Sequence, residues 1–82
     1  MSARAAIPLR ALEADFEAAL AEYLRALRAM RRAAEFLCKR PQSKRRLDAV
    51  LRARIRETAA RRKYQAASRA LFTAIMRGMN PQ

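Results

Sequence analysis

From Leu9 onward the apolar positions step by three and four: Leu12, Phe16, Ala19, Tyr23, Ala26 or Leu27, Met30, Ala33 or Ala34, and Leu37. That spacing is one face of an amphipathic helix. Leu9, Leu20 and Leu24 widen the stripe. Pro8 suits a first helical turn, where its missing N–H costs nothing. The pattern predicts a first helix over about 9–39. Residues 40–43, Arg-Pro-Gln-Ser, end it, because a proline pushes the preceding residue out of the helical region. Ser43 is then a candidate N-cap for a second helix. That helix is expected over about 44–79, with Gly78, Asn80 and Pro81 marking its stop.

The second helix has a split pattern. Leu47, Val50, Leu51, Ile55 and Thr58 share one side, and then Arg61, Arg62 and Lys63 intervene. Beyond them the apolar set is Tyr64, Ala67, Leu71 and Ile75, with Phe72, Met76 and Met79 beside it. This second set is rotated by nearly a quarter turn from Leu47. Supercoiling absorbs only ~20° per heptad, so a bend or break near 60–63, or a segment 64–79 facing another partner, is expected.

Two long helices joined by a short turn fold back as an antiparallel hairpin. The expected fold is therefore all-α, a single 82-residue helical domain. At 1.5 Å per residue the helices would be about 45 and 54 Å long. A hairpin buries one seam only. Its outer apolar side chains need a third element, either a second copy or another protein. The candidate partner-binding residues are Tyr64, Leu71, Phe72, Ile75, Met76 and Met79. Tyr23 and Tyr64 also fall within the apolar stripes and read as core, and Cys38, at the stripe's edge, reads as a small buried hydrophobe.

Composition narrows the function. One glycine and three prolines leave too few turns for an all-β fold. Histidine is absent, Cys38 stands alone, and Gly78 is the sole glycine. The chain thus lacks the commonest general base, any cysteine zinc cluster, and the glycine-rich phosphate loops. No enzyme, cofactor or metal site is expected. No apolar run approaches the ~20 residues of a membrane span. The first twelve residues, with Arg4, Arg10, alanines and no acid, match either an organelle transit segment or a frayed helix start. The lone thiol favours an intracellular place, the cytoplasm or an organelle interior such as the mitochondrial matrix.

Charge carries the functional reading. The chain has 19 Lys+Arg against 7 Asp+Glu, a net +12. Residues 1–24 sum to −2, residues 25–69 to +13, and residues 70–82 to +1. In a hairpin the middle of the chain is the closed tip. Arg25, Arg28 and Arg32 step along the first helix opposite its apolar stripe. Arg45, Arg52, Arg56 and Lys63 share a sector of the second. An ordinary solvated face mixes signs, since like charges at three or four spacing repel. Rows without counterions point to a polyanion. Lys44, Arg45 and Arg46 occupy the first turn of the second helix, where the dipole disfavours cations. A phosphate there would reverse the sign, held by Ser43, free backbone N–H groups and nearby Lys39 and Arg40. Arginine outnumbers lysine 16 to 3, in keeping with forked phosphate contacts. The expected function is RNA or DNA binding through phosphates, as a ribonucleoprotein subunit. The alternative is a structural or assembly subunit of a multiprotein complex docking through 64–79, its basic rows meeting acidic proteins or anionic lipid headgroups.

Three resemblances bear on this. Leu51-Arg-Ala-Arg-Ile-Arg-Glu-Thr58, after a proline turn and a leucine-rich first helix, resembles the two-helix ribosomal protein near the large-subunit exit tunnel, which implies rRNA binding. The chain departs from that family in its extra segment 64–82 and in lacking a glycine-containing turn. Tyr23-Leu24-Arg25 with the later arginines is similar to the mitochondrial LYR proteins, subunits of respiratory complexes, with the first two residues in reversed order and no clear third helix. The size and proline turn resemble type III secretion needle subunits, with Lys44 where their second proline stands. No functional residue is carried over from any of the three.

Overall fold

The computed structural model describes residues 8–79, except for the side chain of Met79. Helix α1 runs Leu9–Lys39 and helix α2 runs Lys44–Met79. They fold back on each other as an antiparallel hairpin, a rod of 61 × 22 × 16 Å. The all-α hairpin read from the sequence is therefore the fold. Residues 1–7 of the twelve-residue transit-like segment, and Asn80 and Pro81, lie outside the described residues.

Local chemistry sets the helix ends. Pro8 precedes α1 with φ −58° and ψ 141°, and its carbonyl accepts from the N–H groups of Ala11 and Leu12 at 3.0 and 3.2 Å. Arg40, held before Pro41, is extended at φ −144°, ψ 80°, as its proline neighbour requires. Its N–H still donates to Leu37 O at 2.9 Å. The turn closes with Ser43 N–H on Arg40 O at 3.0 Å. Ser43 Oγ accepts from Arg46 N–H at 3.2 Å, so it is the N-cap expected of it. Gly78 keeps a negative φ within α2 and supplies no left-handed cap.

The seam follows a seven-residue repeat. On α1, position a is held by Leu9, Phe16, Tyr23, Met30 and Leu37, and position d by Leu12, Ala19, Ala26 and Ala33. On α2, a is held by Val50, Glu57, Tyr64 and Leu71, and d by Arg46, Ala53, Ala60, Ala67 and Ala74. Leu9 at the rod's open end excepted, every one of these residues is half-buried or buried. Sustained 3.5-residue periodicity is the signature of coiled-coil packing. Large side chains at a alternate with alanine at d, so each helix offers small positions to the other's bulky ones. Phe16, Tyr23 and Tyr64 interlock near the middle of the rod, with Tyr64 5.5 Å from Phe16 and stacked 5.4 Å from Tyr23.

Two expectations for α2 need correction. First, it does not break at 60–63; it is one helix through Arg61, Arg62 and Lys63. Second, its seam is not the Leu47–Leu51–Ile55 stripe. Those three residues are 44%, 50% and 71% exposed. The quarter-turn rotation read between the two halves is real: Val50 of the first set and Tyr64, Ala67 and Leu71 of the second face α1, while Phe72, Ile75 and Met76 stay exposed. An unbroken helix must bury one continuous stripe. Extending the Leu47–Leu51 stripe by heptads brings Arg54, Arg61 and Gln65 into the seam. The a/d stripe brings in alanines, Val50, Tyr64 and Leu71, at the cost of Glu57 alone in its interior. Cys38 is also exposed rather than buried, because it lies about 100° round the helix from Leu37.

The seam is thin. Ala26, Ala60 and Glu57 are its fully buried members, and among the described residues no large side chain is entirely enclosed. Glu57 is held against Arg61 one turn on, Oε2 to Nε 3.7 Å.

Candidate nucleic-acid interface

The register of the hairpin decides which cations meet. Cross-helix contacts join Phe16 and Tyr23 with Tyr64, Glu22 with Lys63, and Phe36 with Arg46. Residue numbers on facing levels therefore sum to about 84. In an antiparallel pair of this kind the g positions of the two helices flank one side of the seam and the e positions flank the other. The ion pair Glu22–Lys63, g to g at 3.4 Å, marks the first side. A shallow groove on the same side is lined by Glu22, Arg25, Ala29, Arg32 and Arg56.

Seven of the expected phosphate ligands fall on this single broad face. Arg25, Arg32 and Lys39 hold c positions of α1. Arg45 and Arg52 hold c positions of α2, and Arg56 and Lys63 hold g positions. All seven side chains are exposed. Between residues 25 and 59 the c and g positions carry six cations, three alanines and Phe36, and no acid. Successive cations along α1 are seven residues apart, about 10 Å. That exceeds the ~8 Å screening length at physiological salt, but Arg52 and Arg56 are one turn apart and Arg56 shares a groove with Arg25 and Arg32, so like charges crowd across the seam. The alanines between them keep the backbone low, so a polyanion can approach closely.

The remaining candidates are placed elsewhere. Arg28 points outward on the far side of α1, Arg40 sits in the turn, and Lys44 lies on the opposite broad face. Arg46 is not a free tip cation. Its Nη1 donates to Phe36 O at 2.9 Å, and its Cζ lies 3.6 Å from the Phe36 ring centroid. It braces the two helix ends across the turn, and it sits at a d position. Ser43 Oγ is likewise engaged by Arg46 N–H. The anion site expected at the start of α2 thus loses two of its components to internal bonds. Lys63 spends part of its charge on Glu22. Arg77, at a g position of the open end, lies on the same face, a placement that the pattern within one helix does not reveal and the register between the two helices does.

Among the described residues there are two ion pairs, Arg61–Glu57 and Lys63–Glu22. The charge is polarised along the rod as well. Residues 25–59, the closed-tip half, carry 12 cations and 3 acids, a net +9. Residues 8–24 and 60–79 carry six and four, a net +2. Arg61, Arg62, Lys63 and Arg69 lie at the levels of Glu13, Asp15, Glu17 and Glu22, so the open half is close to balanced.

No family, curated relative or solved structure matches this chain. Its own geometry is what any reading stands on.

The residues expected to bind a protein partner divide. Tyr64 and Leu71 are half-buried in the hairpin's own seam, where most of their surface is covered by α1. Phe72, Ile75 and Met76 are exposed, Phe72 by 61%. Met79 lies in the last turn of α2, and its side chain is outside the described residues. Among the described residues no helix is long and apolar enough to cross a membrane.

Proposed function

We propose that this chain is a nonenzymatic helical hairpin that binds RNA or DNA through the phosphate backbone, as a subunit of a ribonucleoprotein. The observation that carries the reading is the c/g face of the tip half, with six cations and no acid across two helices. Phosphates would supply the counterions that the fold leaves out. Arginines dominate the row, and their guanidinium forks suit phosphate oxygens. Contacts of this kind fix orientation on the polymer and carry no base sequence.

The test compares two variants of equal charge. Changing Arg25, Arg32 and Arg56 to Gln removes three cations of the c/g face. Changing Arg54, Arg62 and Arg69 to Gln removes three from other sides. Binding to a nuclease-resistant duplex is titrated across salt. The first variant is expected to lower the log–log salt slope by about 3, at ~0.9 per phosphate contact. The second is expected to change it by less than 1. Equal losses in both, or a flat salt dependence in the unmodified protein, overturn the reading.

A second reading, a structural or assembly subunit of a multiprotein complex, is favoured by the exposure of Phe72, Ile75 and Met76 on α2. Copurification separates the two. A 260/280 nm absorbance ratio raised by bound nucleic acid before nuclease treatment supports the first reading, and a clean ratio with retained protein subunits supports the second.

A further inference from the structure

The side of the hairpin opposite the cation face is built differently. Its e and b positions carry Leu20, Leu24 and Leu27 on α1. On α2 they carry Leu47 and Leu51 toward the tip and Phe72 and Ile75 toward the open end, with Lys44, Arg54 and Arg61 among them. Leu24, Leu47, Leu51, Phe72 and Ile75 are each 39–61% exposed. The rod's broad side measures 61 by 22 Å, a footprint of about 1,300 Å². A specific interface needs about 800 Å² per partner, so one face-to-face contact is large enough.

The pattern on that face matches itself. On α1 the b positions run Glu17, Leu24, Arg31, centred on Leu24, with Leu20 and Leu27 at e on either side. Lay a second α1 across it antiparallel with Leu24 on a two-fold axis. Glu17 then faces Arg31 of the second copy, Leu20 faces its Leu27, and the same contacts recur by symmetry. The same axis sets α2 against α2. There Leu47 pairs with Ile75 and Leu51 with Phe72, about a centre where Arg61 meets Arg61 of the second copy, each already held by its own Glu57 at 3.7 Å. In the hairpin register Leu24 lies at the level of residue 60, so the two centres coincide to within two residues. The alternative, tips side by side, stacks one +9 half on the other and sets Arg31 beside Arg54.

We propose that this chain forms an antiparallel homodimer, a four-helix bundle closed by the e/b faces about a two-fold axis at Leu24. Glu17 and Arg31 are its reciprocal ion pairs. An interface of this symmetry uses one patch twice, and each substitution in it acts twice. The dimer buries the leucines and Phe72 and leaves a cation face outward on each side. It does not depend on nucleic-acid binding.

The experiment uses nuclease-treated full-length protein. Sedimentation equilibrium is expected to give a dimer mass at micromolar concentration. Glu17→Arg alone and Arg31→Glu alone are each expected to weaken dimerisation by about tenfold or more. The two combined restore it, because the pair is only exchanged. Both side chains are exposed and outside the seam, and circular dichroism confirms that each variant keeps its helix content. Cys38, the sole cysteine and exposed, takes a nitroxide label. In the antiparallel dimer the two labels sit 14 residues either side of the axis, about 40 Å apart. A monomer at 100 µM, a label separation under about 20 Å, or a double variant no tighter than the single ones overturns the proposal.

Discussion

Arg46 shows how a single position can change roles between sequence and structure. By composition it belongs to the Lys44-Arg45-Arg46 triplet, three equivalent cations at a helix start. In the hairpin it lies on Phe36 and donates to that residue's carbonyl. Its charge is used to close the tip. Arg46→Ala is expected to cost about 1 kcal/mol of stability, read from urea midpoints by circular dichroism. Arg45→Ala is expected to leave the midpoint unchanged and to lower nucleic-acid affinity more than Arg46→Ala does. Reversing only Lys44 and Arg45 is therefore the clean test of the tip, since adding Arg46 loosens the turn. Glu57 is the other residue whose neighbours decide its meaning. It is a carboxylate at an a position, 6% exposed, with Arg61 at 3.7 Å. Only the carboxylate is buried, its Arg61 partner being 47% exposed, and a buried charge seldom outperforms a well-packed apolar residue. Glu57→Leu is expected to be neutral or stabilising by about 1 kcal/mol. A loss of that size in the urea midpoint instead would mean that Glu57 fixes the register of the hairpin.

At the scale of the element, α1 was legible and α2 only in part. The α1 stripe is one stripe, and its three-and-four steps from Leu12 to Leu37 are the seam residues observed, while Leu20 and Leu24, which widen it, lie on the outer face. Helix α2 carries two stripes about a quarter turn apart, and its length and ends were readable while its buried side was not. Alanine is the reason. Ala53, Ala60, Ala67 and Ala74 are weak markers of a buried face, and Leu47, Leu51 and Ile55 are strong ones, yet α1 packs on the alanines. Small residues at d let the other helix's a side chains settle between them along the whole rod. The expected consequence is intolerance of bulk. Ala26→Leu or Ala60→Leu is expected to destabilise by about 1–3 kcal/mol through overpacking. Ala59→Leu, exposed one position away, is expected to cost almost nothing. Thermal unfolding of the three variants side by side checks it.

The whole molecule has two axes of asymmetry. Along its length the tip half is +9 and the described part of the open half is +2. Across its width one broad face sets arginines among alanines with no acid in the tip half, and the other gathers exposed leucines, Phe72 and Ile75 among Arg31, Lys44, Arg54 and Arg61. The lengthwise asymmetry was readable from segment charges once a hairpin was assumed. The crosswise asymmetry was not, because it depends on which side of α2 turns inward. Rotating α2 from the Leu47 stripe to the Ala60 stripe carries Arg45, Arg52 and Arg56 round to join Arg25, Arg32 and Lys39. At this scale the expected outcome is directional. A hydroxyl-radical footprint of the protein on a bound duplex should protect the levels of residues 25–39 and 45–56, and leave 66–77 open. Uniform protection along the rod would show that net charge alone attracts the polymer.

The sequence by itself determined the two helices, their ends at Pro8 and at the Arg40–Ser43 turn, the antiparallel fold-back, and the concentration of charge toward the middle of the chain. These follow from local rules: heptad-like spacing, proline sterics, a serine cap, and chain connectivity. The tertiary structure decided which face of α2 is buried, and with it that Arg46 and Glu57 work inside the fold and that the arginine rows share a face. Two apolar stripes competed for one partner helix. The choice turned on close packing summed over the whole length of the seam, a quantity that belongs to both helices together.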